Sequence, residues 1–84
     1  MDAEEIGNLI EASLSDATAI VTTRSDLPED DHYEAIVVSP EFDGKPLVQQ
    51  HQLVYDALGE HMTRDIHALE LSTFTPEEYE QRRN

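Results

Sequence analysis

Four histidines and no cysteine set the terms for any metal chemistry in this chain. Without a thiolate, a metal ligand has to be imidazole, carboxylate, hydroxyl or backbone carbonyl. His67 is the best candidate. It stands in Ile66-His67-Ala68-Leu69-Glu70-Leu71, one imidazole among apolar neighbours. Neutral imidazole binds iron well; the competing reading is a histidine packed at a strand start and hydrogen-bonded to backbone. His32 follows Asp30 and Asp31 at a loop–strand junction. Those carboxylates favour imidazolium, which cannot ligate, but behind a ligating ring they would serve as acceptors. His51 has Tyr55 one helical turn away and reads as packing. His61 falls near a helix C-terminus, where imidazolium complements the dipole.

Other chemistries find little support. No paired acids, nucleophile with its base, or phosphate cradle is visible, so the chain reads as a non-enzyme. Nineteen Asp and Glu face five Lys and Arg, a formal net charge of -14. Phosphate binding rests on basic side chains displacing counterions, so nucleic acid and anionic membranes are disfavoured as partners. The single lysine, Lys45, follows Gly44, but Asp43-Gly44 is more simply a turn. A surface this acidic is also what a high-salt, halophilic cytoplasm selects. No apolar run is long enough to span a bilayer. Met1-Asp2-Ala3-Glu4-Glu5 does not open a signal peptide, so a cytoplasmic location is expected.

The elements that must position these residues follow from local pattern. With 84 residues, one domain with a small core is expected over 1–84. Asp2 caps a helix whose Ile6, Leu9, Ile10 and Leu14 recur at helical spacing, ending near Ser15-Asp16. The β-branched run from Ala17 to Thr23 predicts a strand, and His32 to Ser39 a second. The short polar loop between them implies antiparallel neighbours. Ser39-Pro40 starts a brief helical turn stopped by Gly44. A longer helix follows Pro46, with an apolar stripe from Leu47 to Met62; the two pieces make a helix-turn-helix-like unit. Residues 66 to 73 predict a third strand with His67, Leu69 and Leu71 on the buried face and Ile66, Ala68 and Glu70 opposite. Thr75-Pro76-Glu77-Glu78 caps a last short helix, through about Gln81. The long crossover makes strands two and three parallel. The fold class is α+β, in the order αββααβα: a three-stranded mixed sheet with helices on one face.

Spread over separated motifs, the sequence resembles the BolA family. The matching residues are His32-Tyr33-Glu34-Ala35-Ile36-Val37-Val38-Ser39, Phe42-Asp43-Gly44-Lys45, His51 with Val54-Tyr55, Ile66-His67-Ala68-Leu69, and Thr73-Phe74-Thr75-Pro76-Glu77-Glu78. The resemblance implies a KH-like (class II) BolA fold. It implies a monothiol glutaredoxin-like partner and a two-iron, two-sulfur (2Fe-2S) cluster shared with it, as monomer alone or heterodimer, with no cofactor expected in the isolated protein. It makes His67 a cluster ligand and points to iron–sulfur cluster trafficking or iron regulation. The family's second ligand is a cysteine or histidine in the loop between the first two strands. Here the loop has no cysteine, and His32 is its one nitrogen ligand. The interface would draw on Arg24, Asp30 and Asp31, the His67 edge, and His51 and Tyr55. The alternative the family offers is a DNA-binding transcriptional regulator using the helix-turn-helix-like unit, with Lys45, Gln50, Gln52 and Arg64 meeting nucleic acid. The family often flanks the mid-helix histidine with arginines; Gln50 and Gln52 stand there instead.

Overall fold

Local capping decides where the helices begin. The computed structural model describes residues 2–23, 32–64, 66 and 68–83. Helix α1 (Ala3–Ser13) opens on a capping box: Asp2 accepts from the Glu5 N–H at 2.8 Å, and the Glu5 carboxylate accepts from the Asp2 N–H at 3.4 Å. It ends two residues sooner than its apolar spacing predicts. Asp16 turns the chain with φ of 49°, a left-handed conformation that Asp tolerates better than most residues. The Ser15 N–H is taken by the Glu41 carboxylate, so it is lost to the helix.

Strands β1 (Thr18–Thr23) and β2 (His32–Val38) pair antiparallel, with Ile20 opposite Ile36. Strand β3 (Ala68–Phe74) joins the other side of β2 in parallel, with His32 opposite Ala68 and Val38 opposite Phe74. The sheet order is β1-β2-β3. The parallel pair is reached through a 3-10 turn (Pro40–Phe42), α2 (Leu47–Leu58) and the one-turn α3 (His61–Arg64). Ser39 leaves the strand to cap that turn, its hydroxyl accepting from the Glu41 N–H at 3.1 Å. Helix α4 (Pro76–Arg83) follows β3 on the expected Thr75/Glu78 capping box.

Helices α1 and α2 cover one face of the sheet. Ile6 and Ile10 of α1 and Val54 and Leu58 of α2 meet Tyr33, Ala35 and Val37 of β2, with Phe42 and Ile66 completing the core. Burying each such aliphatic side chain contributes about 1.5–3 kcal/mol. Leu69, Leu71 and Thr73 of β3 face this core, as alternation predicts. Helix α4 has no buried residue; its Tyr79 packs on Phe74, with ring centroids 5.8 Å apart.

Two expectations need correction. The stripe from Leu47 to Met62 is not one helix: Gly59, at φ of 55°, ends α2, donating its N–H to the Tyr55 carbonyl. His61 therefore opens α3 instead of closing the long helix. Ile66 is not on the sheet's far face. It precedes the strand, donates its N–H to the His61 carbonyl at 2.9 Å, and is buried to 3% exposure in the core. Strand alternation does not apply to a residue outside the ladder.

Candidate functional site

The rim of the sheet, where β2 and β3 both begin, gathers the ionisable side chains of most interest. His32 heads the central strand, half-buried, directly opposite Ala68. Two residues on, Glu34 lies opposite Glu70. Side chains two apart on a strand share a face, so an imidazole and two carboxylates crowd one corner of the sheet. A cleft of about 200 Å³ opens here, lined by His32, Tyr33, Ala68 and Glu70. Ala68 follows His67 directly in the chain. His67 itself, with Arg24, Asp30 and Asp31, lies outside the described residues. Among the described residues no group of three His, Asp or Glu side chains is arranged to hold a metal ion.

His51 and Tyr55 sit on α2, ring centroids 6.4 Å apart and nearly edge-on at 73°. The His51 Nε2 is buried and has no hydrogen-bond partner among the described residues. Beside Tyr55 a shallow, mostly apolar depression runs between α2 and α3, lined by Gln52, Tyr55, Asp56, Gly59 and Met62.

The residues that would meet nucleic acid are each engaged locally. The Lys45 ammonium donates to the Glu41 carbonyl at 2.7 Å. Gln50 donates to the Lys45 carbonyl at 2.7 Å and accepts from the Thr73 hydroxyl at 2.6 Å, which ties α2 to β3. The Gln52 amide donates to Asp56 at 2.8 Å, and Arg64 pairs with Glu60 at 3.6 Å. Sequence reasoning had no reason to single out Tyr33, Glu34 or Glu70. The signal was present in strand alternation, but it acquires meaning only with the register that sets Glu34 beside Glu70.

The family model for BolA-like protein matches residues 10–78. The chain belongs to the BolA-like family. The match spans the rim, the Gln50 tie and the Thr75 cap. Over 48 residues the chain is 44% identical to the DNA-binding transcriptional regulator BolA of Haemophilus influenzae, covering 57% of this chain and 47% of that protein. Over 51 residues it is 45% identical to mouse BolA-like protein 2, covering 61% of this chain and 58% of that protein. The chain thus spans about half the length of the curated relatives it matches. Among solved structures, a BolA protein homologue from Coxiella burnetii is 44% identical and superposes with a TM-score of 0.78, covering 95% of this chain and 97% of that one.

Proposed function

We propose that this BolA-like chain is a non-enzymatic adaptor in iron–sulfur cluster trafficking or iron regulation. It acts by offering imidazole to a 2Fe-2S cluster held jointly with a monothiol glutaredoxin-like partner. The observation that carries the reading is the β2–β3 register. It sets His32 opposite Ala68, the residue that follows His67 in the chain. The cleft beside His32 leaves room at that rim for an approaching group. Imidazole in place of a thiolate raises the potential of the iron it binds and makes the cluster easier to pass on. His67 is the principal ligand, His32 the second, and His51 and Tyr55 extend the partner surface along α2.

The test mixes the full chain with a cluster-loaded monothiol glutaredoxin and follows the visible spectrum. The native chain is expected to change the absorption bands; His67→Ala is expected to leave them as in the glutaredoxin alone, with its far-ultraviolet circular dichroism unchanged. A spectrum that shifts equally for both chains discards the ligand role.

A second reading rests on the Haemophilus influenzae relative, whose name is that of a DNA-binding regulator. The charge of -14 and the local engagement of Lys45, Gln50, Gln52 and Arg64 count against it. Gel shift at stated, moderate salt separates the two: tight, salt-sensitive retardation supports the DNA reading.

A further inference from the structure

The sheet has two outer strands, β1 and β3, and their free edges are finished differently. In β1 the Ala19 N–H donates to the Glu11 carboxylate at 2.9 Å, so it points away from β2. Gly7 of α1 comes so near the Ala19 carbonyl oxygen that a Cβ added to it would stand 3.6 Å away. Helix α1 therefore closes in on the β1 edge with one side chain and with its own backbone.

Strand β3 has no such cover among the described residues. Its Phe74 carbonyl accepts from the Ser39 N–H at 3.0 Å, on the side facing β2. Backbone groups alternate in direction along a strand. Ser72 and Glu70 therefore also turn theirs to β2, and Leu69, Leu71 and Thr73 turn theirs outward. Those outward N–H and C=O groups have no partner among the described residues. The pairing with β2 runs unbroken from Ala68 to Phe74, and the strand holds neither proline nor lysine. The common guards of an exposed edge, a bulge, a proline or a lysine, are thus missing from it.

The core beside this edge is unfinished. Leu69 and Leu71 point to the helix side and pack against the core, yet both stay half-buried. Leu53 is half-buried too, three positions beyond Gln50, on the side of α2 that Gln50 ties to Thr73. A further strand would pair with the outward backbone groups and rest every second side chain on this apolar flank. A second copy of the chain would set one charge of -14 against another. A segment that carries basic residues and no acidic ones meets attraction instead.

We propose that the outer edge of β3 takes up an extended, basic segment of a partner protein as a fourth strand. Apolar side chains of the segment seat beside Leu69 and Leu71, and lysines or arginines alternate with them on the opposite face. Neither His32 nor His67 takes part, so the proposal stands apart from the cluster reading.

The probe is a synthetic heptapeptide alternating valine and lysine, with the backbone nitrogens of its lysines methylated. It can pair through its valine edge alone. The control peptide is methylated on every backbone nitrogen. Amide hydrogen exchange is followed in the isotopically labelled full chain at physiological salt. In the free chain Leu69, Leu71 and Thr73 are expected to exchange fast, and Glu70 and Ser72 slowly. Saturating probe is expected to slow the fast set at least tenfold, and the control to leave it unchanged. Leu71→Pro deletes an outward N–H without removing a ladder bond and is expected to abolish the slowing, with the β2 amides still protected. Slow exchange of Leu69, Leu71 and Thr73 in the free monomer overturns the proposal, because the edge is then already covered. Equal slowing by probe and control overturns it as well, since charge and apolar contact then suffice without strand pairing. A dimer in sedimentation with those amides protected gives the edge to a second copy and equally overturns it.

Discussion

The two ends of the sheet use polar side chains differently. At the Val38–Phe74 end they tie elements together. The Ser39 hydroxyl donates to the Ser15 carbonyl at 2.8 Å, the Glu41 carboxylate takes the Ser15 N–H, and Gln50 joins the turn before α2 to Thr73 of β3. Ser39 is fully buried and Thr73 nearly so. Buried polar groups with partners fix register and packing, because leaving any one of them alone is costly. At the His32–Ala68 end, imidazole and carboxylate instead line the mouth of a cleft. One end is framework, and the other carries the proposed site. A small domain with a thin core needs the first in order to hold the second in place.

The comparison can be broken at several points. The largest effect is expected from Phe42→Ala, since Phe42 is 1% exposed at the framework end. Emptying that site should cost about 3–5 kcal/mol, read from urea unfolding at fixed KCl concentration. Next, Gln50→Ala strips Thr73 of its acceptor and should cost about 1–3 kcal/mol. Adding Thr73→Val should then cost less than it does alone, because the pair acts as a unit. Strict additivity in that cycle would show the Gln50 tie to be decorative.

Gly7 sharpens the comparison from midway along the sheet. A Cβ there would meet the Ala19 carbonyl at 3.6 Å and Val21 Cγ2 at 3.7 Å, ordinary contact distances. Gly7→Ala should therefore raise stability by about 0.5–1 kcal/mol through helix propensity. The smallest stability change is expected at the working end. His32→Gln should stay within about 0.5 kcal/mol of the native chain by the same unfolding measurement. A loss there as large as that at Gln50 would mean the rim too is framework.

Much of this was legible in the residues. The capping boxes at Asp2/Glu5 and Thr75/Glu78 and the Ser39-Pro40 start involve neighbours three or fewer positions apart. Alternation placed Leu69 and Leu71 on the core face, and loop lengths set the antiparallel and parallel pairings. The break at Gly59 was missed because the apolar stripe continues to Met62, and only packing decides whether a helix runs through a glycine. Ile66 lies on the opposite side from the one strand period gives, because its burial depends on α3 turning back.

By itself the sequence determined the family, the order of elements and the histidines worth attention, since each rests on residues close in the chain or on composition. The tertiary structure alone decided that Gln50 reaches Thr73 across 23 positions and that Glu34 stands beside Glu70. It likewise decided that the exposed Ile20 stands opposite the half-buried Ile36. These depend on register between strands, and register is fixed by the burial of a whole face at once, which no local stretch of residues contains.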